Sequence, residues 1–412
     1  MKICIVGAGI GGCVAALNLA DLGHEVHLYE AVPTLSPLGV GINLLPHAVQ
    51  VMERLGLSNR LESLGVATRE LVYFNRHGQR IWREPRGRFA GYAVPQISIH
   101  RGTLQMELFS AVQQKLGHAC IHPGHRFISV AGDGPVLAHF AVEDGTSRTM
   151  EADLLIGADG IHSALRRQRY PHEGLPNYGG RILWRATTRA PSYLSGSSMI
   201  MAGHQHCKFV AYPITPVQAD GLQTINWIAE LTVERMPDRE EWNKEVDRQV
   251  FAERFAGWRF EWLDIPALIR GAERVYEFPL VDRDPLPSWC FGATALLGDA
   301  AHPMYPIGSN GASQAILDVD ALSRSLVSEK SVASALAAYQ QARLPATSSI
   351  VLANRGNGPE QCMQIAEERA PGGFLHIEEV FADGELEGIA ARYKAVAGFS
   401  KEAVDALGQR SS

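Results

Sequence analysis

The feature that most restricts this chain is Gly7-Ala8-Gly9-Ile10-Gly11-Gly12, set between the apolar run Lys2-Ile3-Cys4-Ile5-Val6 and an Ala- and Leu-rich stretch from Cys13 to Leu22. A buried strand that turns sharply into a helix needs glycine, because a side chain would block the turn and hold the backbone away from a ligand. The helix N-terminus then offers free N–H groups and partial positive charge to a pyrophosphate. Gly23 stops the helix, and Glu25 to Glu30 forms a second strand. Glu30 follows Gly12 by 18 residues, where a carboxylate can accept from ribose hydroxyls. Residues 2–30 are therefore expected to form a Rossmann-like βαβ unit. Gly7, Gly9, Ile10, Gly11, Gly12 and Glu30 would hold the ADP half of a dinucleotide, and this pattern fits FAD and NAD equally.

Two further strand ends carry similar punctuation. Asp153-Leu154-Leu155-Ile156-Gly157-Ala158-Asp159-Gly160 ends a strand in a glycine turn with a carboxylate, before a helix bearing Arg166 and Arg167. Asp159 is either a ligand to the dinucleotide or simply a helix cap. Leu297-Gly298-Asp299-Ala300-Ala301-His302-Pro303 places Asp299 at another strand end, where it can accept from sugar-like hydroxyls. The turn Gly308 to Gly311 lets backbone approach a flat ligand and starts a helix with Ala315, Val319, Leu322 and Leu326 on one face.

Between these motifs the pattern changes. Residues 46–65 and 103–116 have helical spacing, 71–83 form a hairpin, and 136–142 and 149–156 are strands. Four β-like runs between 180 and 232 predict a largely antiparallel sheet, and 240–275 is expected to be helical. At 412 residues the chain is too long for one ordinary core. The fold class is thus α/β (α+β overall): a discontinuous nucleotide domain of 1–70, 99–175 and 277–355, with an inserted, mainly antiparallel β-sheet substrate domain of 71–98 and 176–276. A C-terminal helical segment, 356–412, carries no chemical signature.

Composition excludes several classes. A formal net charge of −6 gives no electrostatic case for nucleic acid or an anionic membrane. No apolar run is long enough to span a bilayer, and the apolar start lacks a basic leader. The six cysteines, at 4, 13, 120, 207, 290 and 362, form no Cys-x-x-Cys pair. That suits a reducing compartment, so cytoplasm is expected. His204-x-His206 lacks an evident third ligand, and no metal is expected.

The three motifs, in this order, resemble those of the group A flavoprotein monooxygenases, which share the para-hydroxybenzoate hydroxylase fold. The similarity runs from Met1 to about Asn354. It extends to phenazine-pathway members through Pro37 to Asn43, Ser98 to Gly102, Val281 to Pro287, Met304-Tyr305-Pro306 and Asn310 to Asp318. It implies FAD as cofactor, with Gly7, Gly9, Gly12 and Glu30 at its ADP half. Arg101 and Gln105 would line the FAD path, and Asp299 would meet the ribityl chain. Asp159 would lie in a motif shared by FAD and NAD(P)H. Gly41 and Ile42 on one side, and Pro306, Gly308, Asn310, Gly311 and Ala312 on the other, would bracket the isoalloxazine ring. Many relatives bring an arginine to the flavin from the loop that here reads Ser36-Pro37-Leu38-Gly39-Val40 and has none.

The activity so implied is hydroxylation of a small aromatic or N-heteroaromatic substrate, an aromatic acid with loss of its carboxylate included. NADH or NADPH and O2 are co-substrates, through a flavin C4a-hydroperoxide. The expected partners are the aromatic substrate, O2 and NAD(P)H, in a monomer or homodimer. Candidate bases that would hold a phenol-like substrate as its anion are His206 and Tyr212, on one face of an unbroken strand, and Tyr305 in the loop facing the flavin. Trp184 and Arg185 are candidates for the pocket wall beside His206, Tyr212, Tyr305 and Pro306, and Arg185 can pair with a substrate carboxylate.

Three other readings stay open at this point. A flavin-dependent halogenase would carry Trp-x-Trp-x-Ile-Pro, but Trp258 to Pro266 has different spacing. An FAD dehydrogenase or reductase would put no oxygen in its product. An NAD-binding sensor would purify colourless. Substitution of Asp299→Ala is expected to weaken FAD binding or slow flavin reduction. A variant with full flavin occupancy and turnover would remove Asp299 from the cofactor site.

Overall fold

A computed structural model describes residues 1–132, 134–234 and 244–409. Its first sheet has six strands in the order Cys290–Phe291, Thr294–Leu296, Leu154–Gly157, Lys2–Val6, Glu25–Tyr29 and Ile121–His122. All neighbours run parallel except the first pair. The strands at 2–6, 154–157 and 294–296 thus lie side by side, so the three turns that follow them meet along one edge. This is where ligands bind in open α/β sheets.

The helix Ile10–Asp21 starts three residues earlier than its Ala-rich stretch suggests, directly on Gly9, with neither a side-chain cap nor an acidic first turn. Backbone packing dictates the glycines before it. Gly7 has φ +102°, and a Cβ on Gly12 would lie 1.9 Å from the Gly7 carbonyl oxygen.

The second sheet has eight strands: Lys244–Glu245, Tyr276–Asp282, Asn177–Pro191, Leu222–Thr232, Cys207–Pro213, Ser198–His204, Glu70–Phe74 and Arg80–Pro85. Only Ser198–His204 and Glu70–Phe74 pair in parallel. Alternation along these strands separates two faces. One face carries Trp184, Phe209 and Trp227 and packs on Phe251, Phe255 and Ile265. The other carries Leu183, Met201, Val210, Tyr212 and Ile228 and packs on Cys362, Met363 and Ile389 of the C-terminal segment.

Several elements differ from expectation. The run 149–156 is two strands in two sheets, Ser147–Ala152 and Leu154–Gly157, divided at Asp153, whose carboxylate accepts from the Lys2 N–H (2.7 Å). The helical expectation over 240–275 is met among the described residues by the short helices Gln249–Ala252 and Ile265–Gly271 and a single 3-10 turn at Glu253–Phe255, with the strand Lys244–Glu245 before them and a small hairpin at 259–264. Its first four residues, 240–243, fall outside the described ones. Large aromatics at 251, 255, 258, 260 and 262 pack irregularly under the sheet instead of forming a helical stripe. The strand Tyr276–Asp282 pairs with Asn177–Pro191, so the inserted sheet extends past residue 277. No helix among the described residues is long and apolar enough to cross a membrane.

Gly12→Ala and Gly9→Ala separate the two demands on the turn, since a Cβ at Gly9 meets nothing within 4 Å. Gly12→Ala is expected to destabilise the fold by about 3 kcal/mol or more through overpacking. Gly9→Ala should leave thermal unfolding of the flavin-free protein near wild type. Equal stability of the two variants would contradict this assignment.

Candidate active site

A cavity of about 340 Å³ lies between the two sheets. On the nucleotide side it is lined by Gly9, Ile10, Gly11, Gly41, Ile42, Arg101, Asp299, Pro306, Asn310, Gly311 and Ala312. Thus segments far apart in the chain share one elongated space. Two helix N-termini open onto it. The helix Gly311–Ser328, like the first, has no side-chain cap and no acid in its first turn. Uncapped N–H groups of this kind are suited to a pyrophosphate at one end and an electron-rich ring at the other. Asp299 projects into the cavity, and the surrounding protein pushes its carboxyl above the ordinary range. Buried polar atoms without a protein partner, Asn310 Nδ2, Asn226 Nδ2 and Arg185 Nε, belong to residues at or beside this space. Together these features fit FAD.

The loop that carries Asp299 is fixed by a buried ionic network. Asp318 Oδ2 accepts from the Gly298 N–H (3.0 Å) and contacts His302 Nε2 (2.5 Å), while Oδ1 accepts from Arg343 Nε (2.8 Å). From the other side, Arg166 Nη1 donates to the carbonyls of Ala300 (3.1 Å) and Ala301 (2.8 Å). The second motif therefore serves the third. Asp159 itself lies outside the cavity lining and accepts from the Ala164 N–H (2.8 Å), as a helix-start residue does, while its neighbours Ala158 and Gly160 reach the cavity.

Other expected cofactor residues also stand behind the lining. Glu30 accepts from the Ala8 (2.8 Å) and Val32 (3.0 Å) N–H groups, and Gln105 donates to the Ala8 carbonyl (3.0 Å), so both brace the glycine turn. Gly7 and Gly12 face each other and Ala158. Gly308, at φ +68°, packs against Tyr393, where a Cβ would lie 2.1 Å from its hydroxyl.

On the sheet side the lining is Leu183, Arg185, Met199, Met201, Lys208, Val210, Tyr212, Ile228 and Glu230, with Glu360 from the C-terminal segment. Arg185 donates to the Gly41 carbonyl (3.1 Å) and lies over the Phe278 ring (5.6 Å), with the Tyr212 phenol as its neighbour. Gly41 must lack a side chain here, because its N–H donates to Asn226 Oδ1 (2.6 Å) and a Cβ would meet the Asn226 side chain at 2.6 Å. A Cβ on Gly39 would lie 3.5 Å from the Arg101 side chain, and Arg101 lines the cavity, so arginine reaches this region from the helix at 101 instead of from the loop at 36–40.

Three expected pocket residues stand elsewhere. His206 is exposed, in the turn between Ser198–His204 and Cys207–Pro213, with Nδ1 on Thr232 Oγ1 (2.9 Å). The strand breaks at Gln205 and His206, which ends the alternation that would have placed His206 with Tyr212. Trp184 lies on the far face of the sheet, stacked on Phe251 (4.9 Å) with Nε1 donating to Glu277 (2.8 Å). Tyr305 turns from the cavity towards Gly179, and its backbone carbonyl accepts from Asn354 (3.0 Å). Of the three candidate bases only Tyr212 lines the cavity, and burial pushes its phenol up to about 12. Near neutral pH it is a hydrogen-bond donor. Lys208, Glu230 and Glu360 were not anticipated. Charged residues in a strand or in a C-terminal tail ordinarily mark a solvated surface, and alternation with Val210 and Tyr212 was the one available hint.

Among the described residues there is no group of three or more metal-ligating side chains.

A long cavity held by three glycine-punctuated strand ends, with an antiparallel sheet as its other wall, defines a flavoprotein hydroxylase architecture. Residues 1–353 match the FAD-binding domain family, and the chain belongs to it. It is 41% identical over 364 residues to phenazine 1,6-dicarboxylic acid hydroxylase PhzS of Lysobacter antibioticus, covering 86% of this chain and 89% of that protein. It is 31% identical over 332 residues to 6-hydroxynicotinate 3-monooxygenase of Pseudomonas fluorescens, covering 79% and 82%. Klebsiella pneumoniae HpxO, solved with FAD and uric acid, superposes with a TM-score of 0.71 at 22% identity, covering 100% of this chain and 96% of that one. The protein is a group A FAD-dependent aromatic monooxygenase.

Burial alone would raise the pKa of Asp318, but His302 and Arg343 hold it below the ordinary carboxylate range. A folded-state value below the unfolded one gives stability that is complete above roughly pH 4 and is lost as pH falls through the folded value. Asp318→Asn is therefore expected to destabilise the fold at pH 7 by about 3–5 kcal/mol, the usual result of breaking a buried ion pair. The gap from wild type should narrow in denaturant unfolding as pH approaches 3. A gap that is constant with pH would contradict the ionic account.

Proposed function

We propose that the substrate is a planar, fused N-heteroaromatic acid lying along the antiparallel sheet, with its acidic group held by Arg185. FAD, when bound, supplies the redox chemistry: it accepts electrons from NAD(P)H and activates O2, so that one oxygen atom enters the ring and the other leaves as water.

The observation that carries this reading is Arg185. It lines the cavity beside apolar Leu183, Met201, Val210 and Ile228, and its described partners are a backbone carbonyl, the Phe278 ring (5.6 Å) and the neighbouring Tyr212 phenol, all uncharged. Its Nε has no partner. A guanidinium without a carboxylate in an apolar wall is prepared for a substrate anion. The names of the two relatives support an acid, since each refers to an aromatic carboxylic acid.

The other residues then have assignable work. Tyr212 donates towards the same end of the cavity and orients the ring. The methionines and Ile228 provide a dry, flat wall. Gly9, Asp299 and the backbone from 309 to 312 hold the cofactor, and Arg101 adds positive charge close to it. A substrate phenolate or carboxylate is stabilised by the Arg185 charge and requires no titrating base in the wall.

A panel of aromatic acids, phenols and uncharged fused rings, scored by stimulated NAD(P)H consumption and product mass, tests the reading. Fused-ring acids are expected to stimulate most, and the product mass tells whether the carboxyl group is retained. Arg185→Met should raise KM for the best acid about 10- to 100-fold, the value of one charge-assisted hydrogen bond of about 1.5–3 kcal/mol, and leave uncharged rings nearly unaffected. Equal losses for acids and uncharged rings would refute the assignment.

A further inference from the structure

The cavity wall ends in a buried ion cluster away from the flavin side. On the strand Cys207–Pro213, alternation puts Lys208, Val210 and Tyr212 on one face. Cross-strand pairing sets Tyr212 beside Asn226, Val210 beside Ile228, and Lys208 beside Glu230. The wall is therefore polar at the Tyr212–Asn226 end that touches Gly41, apolar in the middle, and ionic at the Lys208–Glu230 end. Four residues at roughly 3.3 Å each separate the two polar ends by about 13 Å. A single aromatic ring is too short to reach both, and a fused two- or three-ring system comes close to spanning them.

The ionic end is almost wholly enclosed, with Lys208 at 3%, Glu230 at 4% and Glu360 at 6% exposure. Lys208 Nζ meets Glu230 Oε2 (2.9 Å) and Glu360 Oε2 (2.5 Å), and Arg181 Nη1 meets Glu230 Oε1 (2.8 Å). Two cations and two carboxylates balance. Taking four charges out of water is expensive, and apolar residues of similar volume often fill such a place with no loss of stability. Lys208, Glu230 and Glu360 nevertheless all line the cavity. An ammonium has three donors, and the two carboxylates use two of them.

We propose that Lys208 is a specificity-determining residue: its third N–H donates to an oxygen acceptor on the ring edge remote from the flavin, while Glu230 and Glu360 hold the ammonium in place. This rests on the fused-ring reading above and adds the second recognition point. Burial works against the Lys208 charge, and the two glutamates more than offset it, so the donor stays charged. Glu360 belongs to the turn Gly358–Glu360, beyond the last residue of the family match at 353. The C-terminal segment is therefore assigned a share in substrate choice.

Three probes test this: phenazine-1-carboxylate, which lacks a remote oxygen, 6-hydroxyphenazine-1-carboxylate and phenazine-1,6-dicarboxylate. The enzymes are FAD-loaded wild type, Lys208→Met, and the double variant Lys208→Met with Glu360→Gln, which removes one charge of each sign and keeps the Arg181–Glu230 pair. Both variants are expected to raise KM at least tenfold for a probe with a remote oxygen. The change in kcat should stay within twofold, and phenazine-1-carboxylate should be unaffected. Which oxygen probe wild type prefers tells a neutral acceptor from a carboxylate. If the double variant matches wild type in FAD content and unfolding temperature but responds equally to all three probes, the role of Lys208 is overturned and the fused-ring reading stands. If wild type neither binds nor turns over any of the three, both fall.

Discussion

Asp318 is a carboxylate sealed inside the protein, and the active site is arranged around its need for partners. It draws the Gly298 N–H, His302 and Arg343 to one point. That fixes where the strand Thr294–Leu296 ends and how its turn approaches the helix Gly311–Ser328. Arg166 grips the same turn from the opposite side through two carbonyls. A loop clamped by buried charges on both flanks has little freedom, since each lost partner would leave a charge or a polar group stranded in low dielectric. Asp299 is therefore delivered to the cavity by side chains, those of Asp318, His302, Arg343 and Arg166, that do not line it.

Much of the nucleotide half was legible because its demands are local. A strand that must turn into a helix against another backbone writes glycine at fixed spacing, as at Gly7 and Gly12, and Gly298-Asp299 marks the strand end that reaches the cavity. The meaning of Asp159 was less legible: the same spelling serves a helix start, and only the fold shows that Arg166, further along, carries the link between motifs. The sheet wall was harder. Adjacent residues in a strand point to opposite faces, so Trp184 and Arg185 could not both line one cavity, and nothing local in the sequence says which does. His206 was lost to a turn that interrupts the alternation. Glu360 arrives from the far end of the chain, a placement that only tertiary packing sets.

The two sides of the cavity differ in their electrostatics. The nucleotide side works mostly with backbone: uncapped helix ends and glycine turns that present N–H groups to the cavity, as an anionic cofactor would require. The sheet side works with side chains in two distinct states. Arg185 is uncompensated by any described carboxylate, whereas Lys208 is fully compensated within its cluster. One is suited to neutralise charge, the other to read shape and hydrogen bonding at a distance. Between them Met201, Val210 and Ile228 form the apolar stretch of the cavity wall.

All of this depends on separate strand ends enclosing one extended cofactor. A crystal structure of the FAD-loaded enzyme tests that most directly. The account predicts continuous ligand density running from the Gly9 turn past Asp299 to the backbone at 309–312, with the ring system facing Arg185 and Tyr212. Density that places Gly9 and Asp299 on different molecules, or a ring system outside the space between residues 41–43 and 306–312, would contradict it.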